Sequence, residues 1–105
     1  MYDFHTSVIG PGSAGLMTAG ILASLGAGVC LIEKDCMGGD CMNTGSVPSK
    51  SLLFLAEQYQ RVHGSHRGEF EFFSDVMEQI RKTIEAIAPY DSVERFERKG
   101  ICVFL

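Results

Sequence analysis

A glycine-rich turn between a short apolar run and a helical segment limits the possible folds of this sequence more than any other feature. Thr6–Ile9 is rich in β-forming residues, and the turn GPGSAG at residues 10–15 follows it directly. A helix-compatible segment extends from Ala14 to Leu25, and Val29–Ile32 is a second apolar run. Uninterrupted apolar runs are typical of strands buried on both faces of a parallel sheet. The pattern predicts a strand–helix–strand unit.

The glycines of this turn have separate steric roles in a site for a dinucleotide. Gly10 permits the tight turn, Gly12 lets the backbone approach a pyrophosphate, and Gly15 allows the helix and strand to pack closely. The helix start at Ser13 and Ala14 offers N–H groups and the positive end of the helix dipole to phosphates. The alternative is a tight turn that binds no ligand.

An acidic residue after the second strand supports the dinucleotide interpretation. Glu33 follows Gly15 by 18 residues, and a carboxylate at this place can accept hydrogen bonds from both hydroxyls of an adenosine ribose. We include its neighbour Lys34 in the expected cofactor site. The alternative is a surface glutamate at a strand end.

The middle of the chain predicts an irregular segment and then a helix. Residues 36–46 are rich in glycine and are expected to be irregular. Pro48 suits the first residue of a helix that runs to about Val62. His63–Glu69 is expected to be a polar loop.

The last third predicts a helix, a shorter helical piece and a third strand. Ser74 is the expected cap of a helix whose apolar face carries the core residues Val76, Ile80, Ile84 and Ile87. Pro89 interrupts this helix, and Asp91 with Glu94 resembles a capping box that restarts it. Ile101–Leu105 is the predicted strand, and its edge is expected to be open on one side.

Length, composition and charge limit the classes of function. The 105 residues suffice for one small domain. The net charge is −4 and no basic stripe is present, so a nucleic-acid partner is not expected. The apolar runs are too short to span a membrane. No basic region with a long apolar stretch opens the chain, so we expect a cytoplasmic protein with free thiols.

A second motif carries the chemistry. The segment GGDCMNTGSVPSK at residues 38–50 closely resembles the GGxCxNxGCxPSK signature of the class I pyridine nucleotide-disulfide oxidoreductases, the family of glutathione reductase, dihydrolipoamide dehydrogenase and mercuric reductase. Together with the first motif, the resemblance covers essentially residues 1–105. The details at 38–41, 47–50 and 91–95 are most similar to the mercuric-reductase-like branch.

The resemblance implies an α/β fold, a Rossmann-like parallel sheet with flanking helices that forms the N-terminal part of an FAD-binding domain. It also implies that Gly39 and Asp40 contact the cofactor. In this family NAD(P)H reduces the flavin, which reduces a disulfide between two cysteines. Cys41 matches the cysteine that exchanges with substrate, and Lys50 matches the lysine that approaches the flavin N5. Ser46 occupies the position of the second redox cysteine.

A serine at position 46 changes the expected chemistry. It forms no disulfide and accepts no electrons from a flavin, so we expect disulfide turnover through this pair to be lost. Cys41 could still form a mixed disulfide or contact a soft metal ion, although no dedicated metal site is expected. Cys36 also precedes Cys41 by five positions but matches no redox position of the family.

The other polar residues and cysteines are expected to be structural. Cys30 and Cys102 lie in strand-like runs and are predicted to be buried. Asn43 and Ser49 are expected to make local turn and capping bonds. The histidines show no metal-ligand spacing: His5, His63 and His66.

The resemblance implies that the complete enzyme adds an NAD(P)-binding domain and a dimerisation domain, which are expected to be absent from this chain, and acts as a homodimer. The leading interpretation is the FAD-binding portion of an NAD(P)H-linked disulfide or mercuric ion oxidoreductase. Two alternatives stay open: a non-catalytic dinucleotide-binding or single-thiol module, and an inactive truncated relic or engineered chain.

Overall fold

A computed structural model of the protein describes residues 3–64 and 71–105. Along the chain its elements are β1 (Thr6–Ile9), α1 (Ser13–Ser24), β2 (Val29–Ile32), α2 (Gly39–Asn43), α3 (Ser46–His63), α4 (Glu71–Ile87), a 3-10 helix (Ala88–Asp91), α5 (Val93–Glu97) and β3 (Ile101–Phe104). The three predicted strands and the first helix are therefore confirmed, within a residue at their ends.

The three strands form one parallel sheet in the order β1-β2-β3. Helix α1 covers one face of it, where Leu16 and Ala19 contact apolar side chains from β2, β3 and α5. Leu31, at the centre of the sheet, is fully buried. The predicted α/β fold, a Rossmann-like sheet with flanking helices, is confirmed.

The opposite face of the sheet carries the alternate residues of each strand, because successive side chains of a strand point to opposite faces. Ile9, Ile32 and Phe104 are exposed there. The ring of Phe4 meets that of Phe104 edge-on, with 6.2 Å between their centroids. Within the part of the chain that the structure describes, this face has no helix over it comparable to α1.

Helices α3 and α4 pack against each other as a pair. Val76 and Ile80 are buried, and Ile84 and Ile87 are half-buried. The apolar stripe is therefore core, as predicted. On the exposed side of α4, Arg81 bonds carboxylates of Glu78 and Glu85.

Three predicted boundaries are wrong. The segment 36–46 is not wholly irregular, because α2 occupies Gly39–Asn43. Ser74 does not cap α4, since that helix begins at Glu71. Pro48 is the third residue of α3 rather than the first, which remains compatible with proline because the first turn of a helix uses none of its N–H groups internally.

The predicted capping box of Asp91 and Glu94 is wrong, because the next residue caps α5 by a single hydrogen bond instead. Helix α4 ends at Ile87 before Pro89, as expected, and a 3-10 helix follows. The residue that caps α5 is Ser92 rather than Asp91, because the Ser92 hydroxyl accepts a hydrogen bond of 3.3 Å from the Arg95 N–H. Most of the predicted polar loop His63–Glu69 lies outside the described residues; His63 itself ends α3.

Among the helices that can be described, none combines the length and the apolar character needed to cross a bilayer.

Candidate functional site

The first glycine-rich turn joins β1 to α1, and the start of the helix lies very close to the backbone of the turn. Gly10 has φ of +95°, a conformation that side-chain-bearing residues rarely adopt. A Cβ at Gly15 would lie only 1.9 Å from the backbone oxygen of Gly10. The Leu16 N–H donates to the Gly12 oxygen at 2.9 Å, which begins the helical hydrogen-bond pattern. Gly15 is therefore required for the approach of the helix to the strand.

The same turn leaves open space at its tip. A Cβ at Gly12 would meet no atom within 4 Å. Helix α1 has neither a side-chain cap nor an acidic residue in its first turn. The first N–H groups of a helix have no partner inside it, so those of Ser13 and Ala14 are free to bind an anion.

The second motif packs directly onto this turn. The Gly38 N–H donates to the Pro11 oxygen at 3.0 Å. A Cβ at Gly39, which has φ of +60°, would lie 2.8 Å from the Cα of Gly12. Asn43 holds the segment through its side-chain amide, which donates to the oxygens of Met37 (3.1 Å) and Gly39 (2.8 Å). The two glycine-rich motifs therefore form one structural unit.

A cleft of about 650 Å³ lies where the two motifs and the turn after β2 meet. Six of its lining residues were expected from the sequence: Gly10, Gly12, Glu33, Lys34, Gly39 and Asp40. Six others were not: Ile9, Ile32, Asp35, Cys36, Asn43 and Thr44. The two isoleucines end their strands at the edge where ligands of parallel sheets bind, and that strand-end position is the signal that could have identified them.

The carboxylate of Glu33 accepts two hydrogen bonds within the turn that follows β2. One carboxylate oxygen, Oε1, accepts hydrogen bonds from the N–H groups of Lys34 (2.6 Å) and Asp35 (2.7 Å). These bonds shape the turn after β2 and fix the carboxylate at the cleft. Neither of these two bonds uses the second oxygen, Oε2.

The three candidate catalytic residues lie on the consecutive helices α2 and α3. Cys41 is exposed on α2, Ser46 begins α3, and Lys50 is exposed one turn later. None of these three residues is among the described residues that line the cleft. Ser46 and Lys50, four residues apart on a helix, share one face.

A close approach between the two helices brings Cys41 near the start of α3. A Cβ at Gly45 would lie 2.8 Å from the Asp40 oxygen and 3.2 Å from the Cα of Cys41. The Ser49 hydroxyl donates to the Gly45 oxygen at 2.8 Å, and Asn43 makes the bonds given above, so both residues have the local roles predicted for them. Lys50 lies in the second turn of α3.

The other thiols are not alike. A hydrogen bond to the Asp35 carboxylate, together with that carboxylate's charge, raises the pKa of the Cys36 thiol, which opposes thiolate formation there. Cys30 is buried as predicted. The prediction that Cys102 is buried is wrong: it is exposed, because β3 is paired only with β2 in the sheet of the described residues, whereas Cys30 has a strand on each side.

His5 makes a structural hydrogen bond next to the first strand. His5 Nδ1 accepts a hydrogen bond of 2.8 Å from the Gly28 N–H and so joins the chain before β1 to the turn before β2. His66 lies outside the described residues, and so does the side chain of His63. Among the described residues no group of three or more His, Cys, Asp or Glu side chains could hold a metal ion.

Comparison with known proteins agrees with this geometry. The family described as pyridine nucleotide-disulphide oxidoreductase matches residues 4–103. A dihydrolipoyl dehydrogenase of Chlorobaculum parvum is 35% identical over 99 residues, which cover 94% of this chain and 20% of that protein. The mitochondrial dihydrolipoyl dehydrogenase of Sus scrofa is 34% identical over 84 residues, covering 79% and 16%. The chain thus spans about a fifth of the length of these relatives.

A solved structure shows the same fold. It is a copper(II) complex of a mutant of the HOCl-induced flavoprotein disulfide reductase RclA from Escherichia coli, with a TM-score of 0.78 and 24% identity. The match covers 99% of this chain and 22% of that one. These relatives support the family and not specifically its mercuric-reductase branch, which stays a prediction.

The enzymes of this family use FAD and NAD(P)H, and the relatives place the chain in the FAD-binding region of such a flavoprotein. With the family matched over residues 4–103 and both motifs packed together at one cleft, the chain belongs to the pyridine nucleotide-disulphide oxidoreductase family.

Proposed function

We propose that this chain binds the adenosine and pyrophosphate parts of FAD in the cleft between its two glycine-rich motifs and presents Cys41 as a single exchange thiol. In this proposal Ser46 prevents disulfide turnover through the pair of positions 41 and 46. FAD, when bound, supplies the ability to accept and pass on electrons.

The observation that carries the proposal is the packing of the second motif on the first. The Gly38–Pro11 hydrogen bond of 3.0 Å and the close approach of Gly39 to Gly12 keep the thiol-bearing helix next to the open turn. A cofactor bound at that turn would extend along a cleft whose neighbouring helix carries Cys41.

The residues of the cleft suit the two polar parts of such a ligand. Space at Gly12 admits the backbone-to-phosphate approach, and the free N–H groups of Ser13 and Ala14 supply donors where the helix dipole is positive. Oε2 of Glu33 accepts a ribose hydroxyl, while Oε1 keeps the turn in place.

The chemistry of Cys41 is that of a thiol without a resolving partner at position 46. Its thiolate attacks a disulfide, forms a mixed disulfide with one half and releases the other half as a thiolate. A cysteine at 46 would then displace the bound half and close an internal disulfide. The Ser46 hydroxyl cannot do so, and the mixed disulfide accumulates.

FAD titration with flavin fluorescence tests the cofactor part. We expect saturable binding to the wild-type chain, loss of binding in Gly12→Val because the side chain fills the phosphate space, and weaker binding in Glu33→Gln. Gly20→Ala, within α1 but away from the cleft, is the matched control and should bind like wild type. Absence of saturable FAD binding in the folded wild-type chain would refute this part of the proposal.

Oxidised glutathione tests the thiol part separately. Mass spectrometry of the treated wild-type chain should show a stable glutathione adduct on Cys41. In Ser46→Cys that adduct should be lost and replaced by an internal disulfide between Cys41 and the introduced thiol. A Cys36→Ser variant should behave like wild type. If the adduct on Cys41 persists in Ser46→Cys, the two positions are not placed for exchange and the proposal fails.

For the complete protein we propose NAD(P)H-linked reduction of a disulfide, or of mercuric ion, by a homodimer in the cytoplasm. Four unpaired thiols support a reducing compartment. Joining this chain to the remaining domains of a dihydrolipoyl dehydrogenase tests the activity. NAD(P)H oxidation by disulfide should require Ser46→Cys, and activity without that change would show that Ser46 does not block turnover.

A further inference from the structure

Two cysteines outside the candidate site lie side by side on neighbouring strands. In the pairing of β2 with β3, Cys30 is directly opposite Cys102. Neighbouring strands are about 4.8 Å apart, and paired residues of a parallel sheet point to the same face. Both side chains therefore stand on the face opposite α1, the face that also carries the exposed Ile32 and Phe104.

The two thiols have different surroundings. Cys30, on the central strand, is 4% exposed, and its Sγ donates to the Ser7 hydroxyl at 3.1 Å. Ser7 is paired with Cys30 from the β1 side. Cys102 lies on the edge strand and is exposed. Ser7, Cys30 and Cys102 thus form a row across the sheet that solvent reaches from the Cys102 end.

The spacing favours a bridging metal ion over a disulfide. A disulfide needs Cβ atoms about 3.5–4.5 Å apart, whereas side chains that stand perpendicular to paired strands keep roughly the strand spacing of about 4.8 Å. The Cys30 Sγ also points towards Ser7, on the side away from Cys102. With the zinc–thiolate length of about 2.3 Å as a guide, two metal–thiolate bonds arranged in a line span about 4.6 Å.

We propose that Cys30 and Cys102 are the two ligands of a site for a soft monovalent cation of the Cu(I) class. Thiolates select such ions, and linear coordination by two sulfurs is a geometry that Cu(I) accepts. Binding displaces one proton from each thiol and changes no oxidation state. Once Cys30 is a thiolate, the Ser7 hydroxyl reverses its bond and donates to the sulfur.

The site is independent of the proposed flavin function. It uses neither Cys41 nor Cys36, and neither of its thiols is among the described residues that line the cleft. The proposed site needs only two ligands. It is therefore compatible with the finding that the described residues contain no group of three or more potential metal ligands.

The test uses the full chain with Cys36→Ser and Cys41→Ser, so that Cys30 and Cys102 are the remaining thiols. Cu(I) is supplied anaerobically in competition with the chromogenic chelator bathocuproine disulfonate. We expect one Cu(I) per chain, protection of both thiols from iodoacetamide, and two sulfur neighbours by X-ray absorption. Adding Cys102→Ser should weaken binding at least tenfold.

Cys102→Ser alters an exposed side chain, and circular dichroism verifies that this variant keeps the fold. Unchanged Cu(I) affinity in the folded Cys102→Ser variant would overturn the proposal. So would one Cu(I) per two chains, since that stoichiometry means that exposed Cys102 thiols bridge separate molecules rather than pair with Cys30.

Discussion

Replacing Gly15 by alanine tests the packing between the first strand and the first helix. The added Cβ would lie 1.9 Å from the oxygen of Gly10 and 3.1 Å from its carbonyl carbon. It would also lie 3.4 Å from Cγ1 of Val8, which is an ordinary contact. The obstacle is therefore the backbone of the turn, which cannot rotate out of the way as a side chain can.

The size of the effect follows from that overlap. Restoring an ordinary contact requires the helix and turn to separate by about 1.5 Å, and overpacking of a tight core costs about 1–3 kcal/mol or more. Because the new atom contacts backbone rather than a movable side chain, we expect the free energy of unfolding to fall by about 3 kcal/mol. For a domain of this size that corresponds to a fall in melting temperature of about 10–15 °C.

Two other glycines of the same region provide controls. At Gly20 the nearest atom to an added Cβ is the Lys99 Nζ at 3.9 Å, so Gly20→Ala should stabilise the chain by about 1 kcal/mol through helix propensity. At Gly12 no atom lies within 4 Å, so Gly12→Ala should change stability by less than about 0.5 kcal/mol.

Thermal and urea unfolding followed by far-ultraviolet circular dichroism measure all three variants. The expected order of stability is Gly20→Ala, then Gly12→Ala close to wild type, then Gly15→Ala well below. A Gly15→Ala variant that unfolds within about 0.5 kcal/mol of wild type would contradict this account, because it would mean that α1 does not approach β1 as closely as the structure indicates.

Three further predictions concern charge and core packing. Asp35→Asn should lower the pKa of Cys36 and speed its alkylation by iodoacetamide at pH 8; an unchanged rate in peptide mass spectra would contradict the role of the carboxylate. Arg81 lowers the pKa of Glu78 below its ordinary 4.5, so the stability they share is present above that pH and lost as the pH falls through the lowered value. The melting-temperature difference between wild type and Arg81→Ala should therefore shrink in acid, and a difference that persists at pH 2 would count against the pair. Leu31→Ala should cost about 2–5 kcal/mol in urea unfolding, whereas an exposed leucine of α3 changed to alanine should cost little.

The candidate site was predictable to the extent that local sequence specifies it. GPGSAG demands a tight turn between strand and helix, because its glycines permit backbone approaches that other residues forbid, and Gly15 and Gly39 make such approaches. Glu33 was placed by counting along a strand–helix–strand unit. The lining residues Asp35 and Thr44 were missed because no local pattern marks which loop positions turn towards a cleft.

The open face of the sheet shows what strand patterns leave undecided. Cys30 and Cys102 have similar apolar neighbours in the sequence, yet one is buried and the other exposed. The difference arises because β2 has a strand on each side and β3 has only β2 beside it in the described sheet. Strand order depends on contacts between distant segments, which a run of apolar residues does not encode.

The family and the strand–helix–strand unit could both be read from the chain alone, because each depends on residue identity at a fixed spacing. How the two motifs and the strands pack against each other could not be read from the chain alone. Tertiary packing placed the second motif on the first through Gly38 and Pro11, and it set Cys30 beside Cys102. These are contacts between segments far apart in the chain, selected by the packing of the whole fold rather than by any local pattern.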